Sequence, residues 1–548
     1  MSITIGLRRI WRSRISVQII SIVIAIVVLI PGHMTSIRGQ VPQPQLWGAL
    51  RSGRYAVGFR TIYRFDPTHT WRITRAYEKP FTPDLNGRPI RVSVWYPATV
   101  KPGSRQMNYE DYIRTGKEKE FADLDKILER RDQLIAGLSV PPDRLADLMT
   151  TNVNAFKDAQ PAAGRYPLVL HFAGLNDTST INSFVLAEFL ASHGYVVATV
   201  ALLGETNEQT GQRRTSSDLA RTISDMEFGW SLLRKEANVD EAKLAVTGHS
   251  LGGIEALLFA MRNANVSAVV GLDGTYGFAG DSVKVLTDFP DYAPRKMRAA
   301  LLDLRRPDGD QGSTLDLGAE HAFYYSDRYF VTLKGMHHSD FTSFAMVAQE
   351  FHLGNSPGYV DQYNWTRETG YRGHQDVCRL VLDFLDEKLK GDSSGSRRLR
   401  EDVARATEGV LKIEAGVPAP PSTNDLANLI STRGLEAATA IVDKYRRELP
   451  DERIVDQNVL NSVGYNLIAE RKFSEAIKVL RFVVYAYPSS ANAEDSLADA
   501  YIAAGQKDLA RQALQEALKL LPADSSLDEE SKKSMAKDEQ AKLDRLKL

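Results

Sequence analysis

The sequence has almost no cysteine and no excess of charge of either sign. Its one cysteine, Cys378, cannot form an internal disulfide. It lies in an apolar helical pattern, so we interpret it as a small core residue. The 68 basic and 69 acidic residues leave a net charge of −1, so no broad basic field is available to attract nucleic acid. A chain of 548 residues is long for one domain, and two globular parts are expected.

The first segment carries a targeting pattern. Four arginines precede residues 15–30, which are almost wholly apolar and are followed by Pro31 and Gly32. This apolar run is long for a secretory signal and short for a spanning helix, and it has neither a clear A-x-A cleavage site nor a lipoprotein cysteine. We predict that residues 1–37 are a signal peptide or an N-terminal membrane anchor. The protein would then be exported, to the periplasm or the outside of a bacterial cell, or anchored in the inner membrane.

One G-x-S-x-G segment, centred on Ser250, follows a strand pattern and opens a helix pattern. Residues 244–247 are mostly apolar, and residues 254–261 have helical spacing. A strand, a tight turn with a central serine and a helix form the nucleophile elbow of an α/β-hydrolase, so Ser250 is the predicted nucleophile. The same short pattern recurs at Ser356 and Ser393, where no strand precedes it, and we interpret those two residues as loop serines.

Alternating strand and helix patterns surround this elbow. They predict an α/β fold for residues 38–392, namely an α/β-hydrolase with a mostly parallel sheet. Strands are expected at residues 91–96, 167–172, 195–200, 266–272, 298–304 and 328–333. Residues 107–157 show helical spacing instead and predict a helical insertion. It is either a cap over the site or a set of helices packed on the sheet.

A nucleophilic serine needs an imidazole to take its proton and a carboxylate to orient that imidazole. This fold presents them in the order Ser, Asp, His. Asp273 follows the strand after the elbow, and His338 follows the last predicted strand, so we predict the triad Ser250, Asp273 and His338. His337 is the alternative base, and Asp308, after the next strand, is the alternative acid.

Two backbone N–H groups are the predicted oxyanion donors. In this fold one comes from the residue after the nucleophile, here Leu251, and the other from the loop after an early central strand, here Leu175. The alternative interpretation of the Leu175 segment is an ordinary strand-to-helix turn. His374, at the start of the last helix pattern of the hydrolase part, is interpreted as a surface or capping residue.

Three motifs carry a family resemblance: G-H-S-L-G-G at residues 248–253, G-L-D-G at residues 271–274, and Gly335-x-x-His338-x-x-Phe341. Over residues 51–390 the chain resembles the platelet-activating factor acetylhydrolase branch of the α/β-hydrolases. The resemblance implies an acid one strand after the nucleophile, which favours Asp273 over Asp308. It also implies a carboxylic-ester hydrolase that uses no metal or other cofactor and acts on a small-molecule or lipid ester. The segment at residues 172–175, F-A-G-L, departs from the family, in which a His-Gly pair is usual.

The C-terminal part has a different pattern. Residues 393–423 are rich in Gly, Ser and Pro around a charged middle and are predicted to be a linker. In residues 424–548 the helical pattern repeats, with Pro488 and Pro522 placed 34 residues apart, which is the tetratricopeptide period. We predict an all-α repeat domain. It either binds a protein partner in a groove or serves as a packing appendage.

These patterns together predict a two-part serine esterase that works through an acyl-enzyme. Two rival functions stay open. One is a non-catalytic hydrolase scaffold whose repeats bind a partner, and the other is an amidase or peptidase with the same triad.

Overall fold

A long mixed β-sheet organises the larger part of this computed structural model. The structure describes residues 45–73, 82–83, 86–116, 118–175, 177, 179–205, 213–308, 314–354, 365–406, 409–448 and 455–547. The predicted signal peptide or anchor, residues 1–37, lies outside these ranges. None of the described helices combines the length and the apolar character needed to cross a membrane.

Fourteen strands are present in the described residues. They are β1 (Ala56–Asp66), β2 (Arg72–Ile73), β3 (Thr82–Pro83), β4 (Arg88–Thr99), β5 (Gln106–Asn108), β6 (Asn152–Lys157), β7 (Gln160–Pro161), β8 (Tyr166–Phe172), β9 (Val196–Val200), β10 (Val239–His249), β11 (Val266–Leu272), β12 (Ala300–Arg305), β13 (Arg328–Thr332) and β14 (Val410–Glu414).

The helices lie on both faces of the sheet and in the C-terminal part. They are α1 (Glu110–Ile113), α2 (Ala122–Leu138), α3 (Leu145–Thr150), α4 (Phe184–Ser192), α5 (Ser216–Leu233), α6 (Leu251–Arg262), α7 (Asp281–Thr287), α8 (Gly318–His321), α9 (Phe344–Glu350), α10 (Arg367–Lys390), α11 (Gly395–Arg405), α12 (Thr423–Arg433), α13 (Leu435–Glu448), α14 (Gln457–Ala469), α15 (Phe473–Ala486), α16 (Ala491–Ala503), α17 (Lys507–Leu520) and α18 (Glu529–Lys547).

The strand order of the large sheet is β14-β13-β12-β11-β10-β8-β9-β4-β1-β6-β5. Neighbouring strands from β9 to β13 along this order are parallel, whereas β4 runs antiparallel to both β1 and β9. A sheet of this topology, with an elbow after a central strand and helices on both faces, is the α/β-hydrolase fold. The predicted fold class is thus confirmed, together with the helical C-terminal region.

Alternation along the central strands explains the two layers of helices. Val169 in β8 belongs to the apolar cluster shared with α4 and α10, whereas Leu168 and Leu170 belong to the cluster shared with α5 and α6. Successive side chains of a strand point to opposite faces, so one buried strand contributes to both cores. Parallel strands also end at a common edge, and the residues that follow β8, β10, β11 and β13 therefore meet there.

The predicted helical insertion, residues 107–157, contains strands as well as helices. Its strands β5 and β6 extend the sheet beyond β1, and its helix α2 packs Leu124 and Leu128 against Ala201 and Leu203, just beyond the carboxyl end of β9. The buried Glu188 of α4 joins the insertion to the core, since it accepts hydrogen bonds from the Tyr112 hydroxyl at 2.5 Å and from the Asn154 backbone N–H at 3.0 Å. Burial raises the pKa of this carboxyl to about 7. A role for the insertion as a cap stays a prediction.

The predicted linker contains two elements of the hydrolase part. Helix α11 buries Leu399 and Val403 in the same core as α10, and β14 pairs antiparallel with β13. The prediction of β13 as the last strand was therefore wrong. The alternating residues Val410 to Glu414 carried a strand signal that the surrounding Gly, Ser and Pro residues obscured, and the pairing covers what would otherwise be an open edge of β13.

The C-terminal helices pack in successive pairs, α12 with α13, α14 with α15 and α16 with α17. Helices α12, α14 and α16 begin at Thr423, Gln457 and Ala491, which repeats at an interval of 34 residues. Gly464 of α14 lies so close to α15 that an added Cβ would lie 2.6 Å from Leu480 Cδ2, which explains a small residue at this position. Their assignment as tetratricopeptide repeats stays a prediction.

Candidate active site

Ser250 occupies a strained turn between β10 and α6. Its φ of 55° and ψ of −122° lie in a region that residues with a Cβ rarely adopt. The flanking glycines are required, because a Cβ at Gly248 would collide with the Gly252 carbonyl, and one at Gly252 would collide with the Phe172 carbonyl. The turn thus has the geometry of a nucleophile elbow, with a serine that is 8% exposed.

Asp273 and His338 are hydrogen-bonded to each other. Asp273 Oδ2 lies 2.5 Å from His338 Nδ1. Burial would raise the pKa of the Asp273 carboxyl, but the hydrogen bond and charge of His338, with the charge of Arg306, hold it well below its usual range. Burial lowers the pKa of His338, against the opposing effect of Asp273. The arrangement therefore presents a neutral imidazole with an ionised carboxylate behind it.

Ser250 lies at the neighbouring strand end. Its backbone N–H donates to the Leu272 carbonyl at 3.1 Å, and its carbonyl accepts from Thr275 N–H at 3.1 Å, so the elbow and the loop that carries Asp273 are joined on both sides. Between the described residues Ser250 and His338 no hydrogen bond from hydroxyl to imidazole is formed. In proteins without substrate such catalytic hydrogen bonds are often long or poorly aligned.

The two alternative residues lie elsewhere. The ring of His337 stacks on Trp365 with centroids 3.8 Å apart, and its backbone N–H donates to Asp340 at 2.7 Å. Asp308 is exposed and accepts a hydrogen bond from Leu315 N–H at 2.8 Å. Of the predicted pairs of base and acid, the structure brings together His338 and Asp273.

His374 is not a surface or capping residue, contrary to the sequence-based interpretation. It lies inside α10, is 1% exposed, and places its Nδ1 3.0 Å from the Asp340 carbonyl. Burial lowers its pKa to about 4. The helix begins at Arg367, earlier than the pattern indicates, so His374 falls on its buried face.

The two residues predicted to supply the oxyanion donors belong to chain segments that adjoin the serine. Leu251 is the first residue of α6, and the first N–H groups of a helix have no acceptor within that helix. Leu175 follows Gly174 in the turn after β8. A Cβ at Gly174 would lie 3.0 Å from Ser250 Cβ, so this turn packs directly on the elbow.

Three residues of the site were missed by the sequence analysis. Arg306 donates from Nε to Asp273 Oδ2 at 2.6 Å and from its backbone N–H to Asp273 Oδ1 at 3.0 Å, so it orients the carboxylate. His249 Nδ1 lies 2.6 Å from Asp177 Oδ2. The polar cluster after β8 was a signal for Asp177, but nothing in the sequence indicated which partners these side chains would reach.

In the described part of the chain, no group of three or more His, Cys, Asp or Glu side chains is arranged to hold a metal ion. Cys378 is buried, as interpreted, and burial raises the pKa of its thiol.

Comparisons with known proteins found a matching family model and similar solved structures. A family model described as Chlorophyllase matches residues 156–299, a stretch that contains Ser250 and Asp273. Among solved structures, a ferulic acid esterase from Streptomyces cinnamoneus is similar, with a TM-score of 0.44 and 18% identity over 68% of this chain and 98% of that chain. No curated protein matches the chain.

The fold and the elbow define the chain as an α/β-hydrolase. Within that class its central part is similar to the Chlorophyllase model, which includes the elbow and the loop of Asp273 and ends before His338.

Proposed function

We propose that the protein is a serine hydrolase that cleaves carboxylic esters through an acyl-enzyme. The observation that carries the proposal is the pairing of His338 with Asp273 at 2.5 Å beside a strained elbow that holds Ser250. A base, an oriented carboxylate and a serine on one sheet edge are the parts that acyl transfer needs. The match of the central region to the Chlorophyllase model supports the same class of chemistry.

The steps follow from the positions of these groups. His338 accepts the proton of the Ser250 hydroxyl as the oxygen attacks the ester carbonyl. The N–H groups of Leu251 and Leu175 stabilise the oxyanion, and each such donor contributes about 3 kcal/mol in comparable enzymes. His338 then protonates the leaving alkoxide, and afterwards it activates the water that releases the acid. Asp273, itself held by Arg306, stabilises the imidazolium in both steps.

The lowered pKa of His338 supports its role as a base. A general base must be unprotonated before the step that it assists. Burial shifts the imidazole towards its neutral form, and the adjacent carboxylate limits that shift. The site is thus prepared for proton abstraction near neutral pH.

Labelling with a fluorophosphonate tests the nucleophile. We expect one covalent adduct on Ser250, located by mass spectrometry of the digested protein. Ser250→Ala should abolish labelling and lower kcat for a short p-nitrophenyl ester by about 10⁴-fold or more. Ser393→Ala is the matched control, because Ser393 is exposed and shares the five-residue pattern without the elbow. A folded protein that is neither labelled nor active would favour the non-catalytic scaffold.

Matched p-nitrophenyl esters and p-nitroanilides separate the esterase from an amidase or peptidase. We expect kcat/KM to be larger for the esters, and a preference for the anilides would contradict the proposal. Esters of graded acyl length would then define the substrate, including the lipid and acetyl esters that the resemblance to platelet-activating factor acetylhydrolases implies.

Two further proposals concern the rest of the chain. The arginines and apolar run at the N-terminus support export or membrane anchoring. The paired C-terminal helices support a repeat domain that binds a protein partner, with a packing appendage as the alternative.

A further inference from the structure

The histidine immediately before the nucleophile is buried where three loops meet. His249 is 4% exposed. Its Nδ1 lies 2.6 Å from Asp177 Oδ2, and its Nε2 lies 3.0 Å from the backbone carbonyl oxygen of His338. Its ring also packs against the ring of His338, with centroids 4.6 Å apart. His249 therefore touches the loops that carry the predicted oxyanion donor and the predicted base.

Both ring nitrogens of His249 face oxygen acceptors. An ionised carboxylate and a carbonyl can accept a hydrogen bond but cannot donate one, and a neutral imidazole carries one N–H. Only the imidazolium satisfies both contacts. Burial alone would lower the pKa of His249, but the charge and hydrogen bond of Asp177, with the His338 carbonyl, raise it above its ordinary value. In turn, the charge and hydrogen bond of His249 outweigh burial and lower the pKa of Asp177.

The neighbouring histidines carry no competing charge. The titratable groups that face His249 are Asp177 after β8, His171 in β8, Asp273 after β11, His338 after β13 and His374 in α10. Burial, with a contribution from the charge of His249, lowers the pKa values of His171 and His374 to about 4. At neutral pH these two rings are neutral, and the positive charge of this group of histidines is on His249.

Asp177 links His249 to the turn after β8 by hydrogen bonds. Its Oδ2 also accepts the Gly174 N–H at 3.2 Å, its backbone N–H donates to the Gly174 carbonyl at 3.1 Å, and its Oδ1 accepts from Asn182 at 2.8 Å. Gly174 in turn approaches Ser250 so closely that an added Cβ would be 3.0 Å from the serine Cβ. The ion pair thus fixes the distance between this turn and the nucleophile.

We propose that His249 is a positioning residue of this site: as an imidazolium it ties the turn of Gly174 and Asp177, and the backbone of His338, to the nucleophile elbow. The inference rests on the proposed esterase function. It has an electrostatic consequence as well, because a cation packed against the His338 ring opposes protonation of the base and keeps it available at lower pH.

The test compares His249→Gln, Asp177→Asn and the double variant on a short p-nitrophenyl ester between pH 5 and pH 9. We expect His249→Gln to lower kcat about 10- to 100-fold through misplacement of the reacting groups, with a KM change of less than about 3-fold. Loss of the cation should also move the acid limb of kcat/KM upwards by about 0.5 pH units. Because the two residues act as one unit, the double variant should be little worse than the single variants.

His69→Gln is the control: His69 Nδ1 lies 2.7 Å from Asp66 Oδ2, but the His69 side chain is 46% exposed and forms no hydrogen bond with a residue of the predicted triad. It should leave kcat and the pH profile unchanged. Additive losses in the double variant, or an unshifted acid limb in a folded His249→Gln protein, would overturn the inference. Fluorophosphonate labelling of the unaltered protein separates the two proposals. If the protein is labelled and active, but His249→Gln changes neither kcat nor the pH profile, this inference alone is contradicted and the proposed function stands.

A measurement on the unaltered protein covers the case in which the variants do not fold. Long-range ¹H–¹⁵N spectra of ¹⁵N-histidine-labelled protein distinguish imidazolium from neutral rings. At pH 7.5, where a histidine with an ordinary pKa of about 6.5 is mostly neutral, we expect one imidazolium that is protected from solvent exchange. Absence of any such ring would overturn the proposal.

Discussion

The region around Ser250 and the C-terminal helical region differ in the contacts that hold them together. Around Ser250 the chain holds a non-glycine residue at φ 55°, another at φ 48° in Asp273, and several buried charges. In the C-terminal helices the contacts are local, with small buried residues such as Ala476, Ala498 and Ala510 where neighbouring helices meet. Strain and buried charge reduce stability and are retained where chemistry needs them. Changes in the first region should therefore affect rate, and changes in the second should affect stability.

After loss of the nucleophile itself, the largest effect is expected from replacement of the acid. Asp273→Asn removes the charge that stabilises the His338 imidazolium. The amide that replaces the carboxylate also no longer holds His338 in the tautomer with its proton on Nδ1, so kcat should fall by about 10³- to 10⁴-fold. Asp308→Asn is the matched control, because this carboxylate is exposed and does not contact His338. Steady-state kinetics on one ester give both numbers. A larger loss in Asp308→Asn would transfer the role of acid to that residue.

The pH profile of the unaltered enzyme should show the environment of the base. Burial lowers the pKa of His338, so the neutral imidazole persists below its ordinary pKa. Therefore kcat/KM should be constant through neutral pH and should fall only below about pH 6.5, because the base becomes protonated there. A midpoint of the acid limb above pH 7 would show that the environment of His338 favours the charged form instead.

The boundary between the two regions can be located by truncation. A chain that ends at residue 421 keeps α11 and β14, whereas one that ends at residue 392 loses both and uncovers the edge of β13. Because Leu399 and Val403 are buried, the shorter chain should lose about 3 kcal/mol or more of unfolding free energy.

Thermal and urea unfolding of both chains, with ester hydrolysis as the test of the site, would measure this difference. We expect the chain ending at residue 421 to retain activity. Equal stability of the two chains would mean that the boundary lies at residue 392, where the sequence composition places it.

The smallest effect on rate is expected in the helical region. Gly464→Leu forces a side chain against Leu480 and should destabilise α14 and α15 by about 1–3 kcal/mol, with kcat unchanged. Ser462→Leu, on the exposed side of the same helix, is the control and should be nearly neutral. Calorimetry and the ester assay report the two quantities separately. A fall in kcat together with the stability would show that the regions are energetically coupled.

Sequence patterns predicted three central strands of the sheet well. Strands β8, β9 and β11 lie within one residue of prediction, because continuous apolar runs bounded by turns are strong local signals. Predictions failed where the local signal was weak. The strand β14 is a short, largely exposed edge strand in a polar context. The burial of His374 follows from α10 beginning at Arg367, because His374 then lies within the helix and on the same buried stripe as Gly370 and Val377.

The order of serine, acid and histidine, each after a strand, was determined by the sequence alone, since parallel strands that end at one edge bring the residues after them together. Tertiary structure decided which of two adjacent histidines meets the carboxylate, that Arg306 orients this carboxylate, and that Asp177 pairs with His249. Those choices depend on side-chain directions and on contacts between residues 33 to 72 positions apart. Local propensity carries no information about such contacts, because their energy exists only in the folded chain.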